Sequence, residues 1–173
     1  MPLAAAPADP TRALAVGLGE ALRRLGMRVA TAESCTGGLV AGAITDVAGS
    51  SAWFERGFVT YSNDAKCELL GVSRESLAAH GAVSEAVARE MAEGAVAHSH
   101  AACALSVTGV AGPDGGSADK PVGTVCFGWV LPGGPPVTTT RHFPGDRAAV
   151  RSAAVRAALE GFLQVLDARV APS

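Results

Sequence analysis

The segment Thr31-Ala-Glu-Ser-Cys-Thr-Gly-Gly38 holds two side chains able to attack a carbonyl, Ser34 and Cys35, just before a pair of glycines. Upstream, Met27-Arg-Val-Ala-Thr-Ala32 is a short apolar, β-branched run; downstream, Leu39 to Val47 repeats its apolar residues at helical spacing. A strand therefore hands over to a helix between Glu33 and Gly38. Small residues there let a backbone approach a ligand, and the first N–H groups of a helix carry partial positive charge suited to an oxyanion or a phosphate. Thr36, Gly37 and Gly38 are accordingly candidate substrate-binding positions beside Ser34 or Cys35. The same residues would equally make a plain tight turn with Ser34 or Thr36 as the helix cap.

A second constellation comes from the basic residues. Of 14, twelve are Arg and only Lys66 and Lys120 are Lys. A chain that uses Arg for charge and keeps a lysine points to chemistry Arg cannot do: a desolvated amine sheds its proton near neutrality and acts as a base, whereas a guanidinium stays charged. The single tyrosine, Tyr61, lies five residues before Lys66 in Tyr61-Ser-Asn-Asp-Ala-Lys66, after the strand-like Phe54-Glu-Arg-Gly-Phe-Val-Thr60. These two mark another strand-to-helix junction, although a lone Lys or Tyr also arises by chance in so biased a composition.

The elements that would position these groups alternate along the chain. Helices are expected at Arg12 to Leu25, Leu39 to Val47, Ser84 to Ala97 and Asp146 to Arg169, with Asp146 capping the last. Strands are expected at Met27 to Ala32, Gly57 to Tyr61, Ala102 to Val107, Gly123 to Leu131 and Val137 to Phe143, the last two joined as a hairpin by Pro132-Gly-Gly-Pro-Pro136. This is an α/β chain: a three-layer α/β/α sandwich around a mixed, mostly parallel sheet. The strand ending at Val107 runs into Thr108-Gly-Val-Ala-Gly-Pro-Asp-Gly-Gly116, a glycine-rich loop at a strand's carboxyl end, where open α/β sheets bind ligands. Thr108, Gly109, Gly112, Gly115 and Gly116 are candidates to cradle a phosphate, and Arg147, in the first turn of the last helix, to bind one through its fork. A turn-rich connection without a ligand is the alternative. The loop matches neither GxxxxGK[ST] nor GxGxxG, which weakens ATP and dinucleotide readings.

At 173 residues with 49% hydrophobic composition, the chain suits one domain with a substantial core. Residues 1–10 read as a flexible tail and 11–173 as the domain. A net charge of −2 and a pI near 6.1 argue against a nucleic-acid partner and for a small ligand. No apolar run reaches the roughly 18–20 residues of a membrane span, and the N-terminus lacks the basic start of a signal peptide. A cytoplasmic location is expected. Cys35, Cys67, Cys103 and Cys126 form no CxxC pair, and reduced thiols are the simplest account, with Cys103 and Cys126 in the core. His80, His98, His100 and His142 show no ligand spacing, so neither a metal nor a cofactor is expected.

Together, Thr31–Gly38, Tyr61–Lys66, Gly81-Ala-Val-Ser-Glu85, Ser106-Val-Thr-Gly-Val-Ala-Gly-Pro113 and Lys120-Pro-Val-Gly-Thr124 resemble the CinA C-terminal domain family, in order and spacing, from about Thr11 to Arg169. The resemblance implies the stand-alone form, without the family's molybdopterin-binding-like N-terminal domain. It implies a nicotinamide-nucleotide amidase, converting nicotinamide mononucleotide to nicotinate mononucleotide and ammonia in pyridine nucleotide salvage. It selects Ser34 rather than Cys35 as nucleophile, with Lys66 as base and Tyr61 orienting the lysine or carrying a proton to ammonia. The helix-start N–H groups near Thr36 and Gly37 would hold the oxyanion, the glycine-rich loop the nucleotide phosphate and ribose, and a homo-oligomer is expected. Asp64 departs from the family's more usual Glu. Two alternatives stand: a non-catalytic nucleotide-binding module with a regulatory role, and an amidase for a different small amide.

Overall fold

A computed structural model describes residues 9–170; residues 1–8 of the expected tail lie outside the described residues. The first helix, α1 (Pro10–Leu25), starts where the Asp9 carboxylate accepts the Thr11 N–H at 3.0 Å with Pro10 at its first position, and stops at Gly26. There follow β1 (Val29–Glu33), α2 (Leu39–Thr45), a 3-10 turn at Ser50–Ala52, β2 (Phe54–Val59), α3 (Asn63–Leu70), α4 (Arg74–His80) and α5 (Glu85–Ala97). The remainder is β3 (Cys103–Gly109), β4 (Thr124–Val130), β5 (Val137–His142) and α6 (Arg147–Val170).

The five strands form one sheet in the order β2-β1-β3-β4-β5. The β1 strand pairs parallel with β2 and β3, while β4 pairs antiparallel with β3 and β5, so only β4 runs against the others. Side chains alternate across the sheet by size. Val29, Cys103, Leu105, Val107, Phe127 and Trp129 pack with α1, α2 and α6 on one face. Ala30, Ala32 and Ala104 face α5, with Leu70 of α3 and Leu77 of α4 in the same layer. The small residues let α5 sit close: a Cβ at Gly128 would meet the Ala88 carbonyl, and one at Gly94 the carbonyl of Leu70. The fold is thus the expected sandwich with a mixed sheet. Both faces of β1 and β3 are covered, which is why these strands read as nearly unbroken runs of small and apolar residues.

Two differences follow from the edges of the fold. The edge strand β2 starts at Phe54, three residues before the expected Gly57, because Phe54 and the polar Arg56 pair parallel with Val29 and Ala30 of β1, with Glu55 left out at an irregularity between them. The helix α4, not anticipated from apolar periodicity, buries no residue fully and is started by Ser73, whose hydroxyl accepts the Ser76 N–H at 3.1 Å.

Candidate active site

Strands β1 and β3 end side by side, and the Ser34 N–H donates to the Val107 carbonyl at 2.9 Å, fixing the residue just past β1 to the end of β3. From the other face, α3 begins at the Ser62 cap and places Lys66 at its fourth residue, pointing inward and only 1% exposed. The Lys66 Nζ donates to Ser34 Oγ at 2.9 Å and to the Thr60 carbonyl at 2.8 Å. Neither partner is a carboxylate. Burial pulls the amine below the ordinary lysine range, because removing an ammonium from water penalises the charged form. An amine whose burial favours the neutral form, held against a hydroxyl, has the makings of a base and nucleophile pair.

Cys35 lies next to Ser34, but burial pushes its thiol up to about 11, leaving it protonated and a poor nucleophile near neutrality. Cys103 and Cys126 are buried as expected.

Ser34 and Lys66 open onto a cavity of about 300 Å³. Of the sequence candidates, Ser34, Tyr61, Lys66, Thr108, Gly109, Gly112, Gly115 and Arg147 line it, joined by Cys35, Asn63, Val110 and Asp114 among others. Tyr61 stands exposed at the rim, its hydroxyl accepting from Arg147 Nη2 at 3.0 Å, while Arg147 Nη1 donates to the Gly112 carbonyl at 2.8 Å. Of the two roles expected of Tyr61, orienting the lysine or carrying a proton, the first has no contact behind it here: the Tyr61 hydroxyl bonds Arg147, and the Lys66 amine is held by the Thr60 carbonyl and Ser34. The Thr108 hydroxyl is committed to the Ala82 carbonyl at 2.9 Å.

Thr36, Gly37, Gly38 and Gly116 do not line this cavity. The expected oxyanion donor at Gly37 is turned back onto the Ser34 carbonyl at 3.0 Å, and the N–H groups of Val40 and Ala41 are taken by the two Glu33 carboxylate oxygens at 2.8 and 3.0 Å. The anion that the start of α2 attracts is therefore Glu33, a fully buried side chain of the protein. The cap of α2 is Gly38, without a side-chain bond, not Ser34 or Thr36. Among the described residues no other residue accepts the N–H of Cys35 or Thr36, and the Cys35 N–H lies against its own sulfur. Of these two, Cys35 borders the cavity directly after Ser34, the position from which a strand-to-helix nucleophile turn presents an oxyanion donor.

Sequence reasoning also missed Arg151, whose Nε and Nη2 donate to the carbonyls of Cys35 and Thr36 at 3.1 and 3.3 Å. Its spacing from Arg147, one helical turn, was the available signal. A larger cavity of about 610 Å³, lined by parts of α1, α2 and α6, contains Arg151 but none of Ser34, Tyr61 and Lys66, so the chemistry belongs to the smaller one. Among the described residues no group of three or more His, Cys, Asp or Glu is placed to hold a metal ion, and no helix is long and apolar enough to cross a membrane.

Residues 11–166 match the family model described as the CinA C-terminal domain. The nicotinamide-nucleotide amidohydrolase PncC of Escherichia coli is 57% identical over 147 residues, covering 85% of this chain and 89% of that protein. The protein of the same name from Pseudomonas putida is 55% identical over 157 residues, 91% of this chain and 98% of the relative. The crystal structure of the competence/damage inducible protein CihA from Agrobacterium tumefaciens superposes with a TM-score of 0.88 at 47% identity, covering 95% of this chain and 99% of that one.

Proposed function

The chain belongs to the CinA C-terminal domain family, and from that premise we propose that it is an amidohydrolase that converts nicotinamide mononucleotide to nicotinate mononucleotide and ammonia. The observation that carries the reading is the 2.9 Å contact between the buried, carboxylate-free Lys66 amine and Ser34 Oγ at the edge of a cavity. Residues 11–173 act as one such domain, in the cytoplasm, as a homo-oligomer serving pyridine nucleotide salvage.

In this reading neutral Lys66 takes the proton of Ser34 as Oγ bonds to the carboxamide carbon. The C=O electron pair moves to oxygen, and the Cys35 N–H stabilises the resulting oxyanion. One donor of this kind is commonly worth ~10²- to 10³-fold in rate. Collapse breaks the C–N bond, with the proton held on Lys66 delivered to the departing nitrogen directly or through the Tyr61 hydroxyl at the rim, and ammonia leaves. Water then attacks the Ser34 ester, giving its proton to Lys66, and nicotinate mononucleotide departs with Ser34 reprotonated. Arg147 and the loop from Gly109 to Gly115 receive the ribose and phosphate, the guanidinium offering two donors to an anion. Asp114 brings a carboxylate to the same cavity, suited to sugar hydroxyls or to the pyridinium charge.

The test is incubation of the purified protein with nicotinamide mononucleotide, quantifying nicotinate mononucleotide and ammonia, with Ser34→Ala alongside. Product that disappears in the variant is expected. Binding without ammonia would instead support the nucleotide-binding module, and ammonia from another amide only would reassign the substrate.

A further inference from the structure

Arg147 and Arg151 come off one face of α6, a helical turn apart, yet serve different segments. Arg147 reaches the glycine-rich loop and Tyr61; Arg151 reaches the turn that carries the nucleophile. In a trans peptide the C=O and the following N–H point to opposite sides. Holding the Cys35 carbonyl therefore sets the direction of the Thr36 N–H, and holding the Thr36 carbonyl sets that of the Gly37 N–H. The latter donates to the carbonyl of Ser34 itself, whose own N–H is tied to Val107. A continuous relay runs from the guanidinium through the Thr36–Gly37 peptide to the serine backbone. The planar fork of Arg presents two N–H groups to the two carbonyls in a fixed geometry, which the rotating donors of a Lys ammonium do not reproduce.

We infer that Arg151 is a positioning residue for the nucleophile: by forking onto the carbonyls of Cys35 and Thr36 it fixes the turn that holds Ser34 Oγ beside the Lys66 amine and sets the Cys35 N–H. The inference rests on the reading of Ser34 as the nucleophile. Arg151 also lines the larger cavity, together with Arg12, Asp46 and Ser152. Truncating its side chain opens the two carbonyls to a space that admits a small guanidinium ion.

The experiment compares full-length wild type, Arg151→Ala and Arg151→Lys for kcat and KM with nicotinamide mononucleotide, and for the rate at which a fluorophosphonate phosphonylates Ser34 with loss of fluoride. The expected result is a kcat on the order of 10²-fold lower in Arg151→Ala with KM little changed, as when a reacting group is displaced by about an ångström. Arg151→Lys should fall between. Guanidinium at non-denaturing millimolar concentration should restore part of kcat in Arg151→Ala, and methylammonium should not. Wild-type kcat in either variant overturns the inference. So does a kcat that falls only with the folded fraction and does not respond to guanidinium. If Arg151→Ala does not fold, Arg151→Lys decides by the same kcat and phosphonylation readings, wild-type rates overturning the inference. A wild type that yields no nicotinate mononucleotide but is phosphonylated faster than the variants removes the substrate and keeps Arg151. Deamidation by wild type and variants alike removes Arg151 and keeps the substrate.

Discussion

The wall of the small cavity that carries Ser34 is withdrawn from water, with Ser34, Cys35 and Lys66 each less than a tenth exposed, whereas Asp114 and Gly115 of the glycine-rich wall are exposed. The first wall is cross-tied from four sides: Val107, Lys66, Glu33 and Arg151 each bond it or the start of α2. The second is tied at its start by the Val110 N–H to Thr124, and at Gly112 by Arg147. Chemistry depends on reacting atoms held to fractions of an ångström, while recognition tolerates a wall that settles around its ligand. In the proposed reading, kcat therefore follows the buried wall and KM the exposed one.

The strongest way to break that division is Lys66→Arg, which replaces the titratable amine with a guanidinium that stays protonated. Turnover should fall by ~10²- to 10⁴-fold with the fold retained, measured as ammonia release against circular dichroism. Near-native turnover would end the lysine-base reading. The wild type carries the companion signature in its pH profile. Burial lowers the folded amine below its unfolded value of about 10.4, so kcat/KM should climb with pH along a limb lying below that value. Linkage has a definite sign: between the two pKa values the unfolded chain binds more protons at Lys66, so the amine's own contribution to stability rises with pH, while the buried thiols Cys35, Cys103 and Cys126, pushed up by burial, contribute with the opposite sign. The Lys66 part is therefore read as the difference in denaturant midpoint between wild type and Lys66→Met, and a difference that falls with pH would contradict it.

The next effect is on the frame. Glu33→Ala leaves the Val40 and Ala41 N–H groups without acceptors, at a cost of ~1–3 kcal/mol. A Tm lowered by several degrees in a thermal melt is expected; an unchanged Tm would show that the turn is held without the carboxylate. The smallest effect sharpens the contrast from the other side. Arg147→Ala frees Gly112 and Tyr61 and should raise KM about tenfold while largely sparing kcat, which corresponds to losing one charged contact. A loss confined to kcat would reverse the roles of the two walls.

Much of this was legible from sequence wherever the signal is local. The hand-over at Thr31–Gly38 follows from periodicity on either side of paired glycines, and the weight placed on Lys66 from its rarity beside twelve arginines. Asp146 also caps α6 as its position suggests, accepting the Ala149 N–H at 2.9 Å. What was not legible is which distant group each backbone donor and acceptor finds. Arg151 meets Cys35 across 116 positions of chain, an encounter created by α6 folding back over the sheet. Glu33 resembles an ordinary strand-end acid until its carboxylate is seen to take the donors expected to serve the substrate. Gly116 keeps the loop's composition but sits against Val122, outside the cavity.

The Lys66 amine rests on two neutral oxygens, a hydroxyl and a backbone carbonyl. A base tuned by an ion pair would change strength with dissolved salt, since screening at physiological ionic strength acts over about 8 Å of water. Here the tuning comes from the exclusion of solvent, which added ions do not reverse. The reactive centre should therefore keep its basicity from dilute buffer to concentrated salt, while the exposed Arg147, which in the proposed reading meets the substrate's phosphate, should bear the ionic sensitivity of the whole reaction.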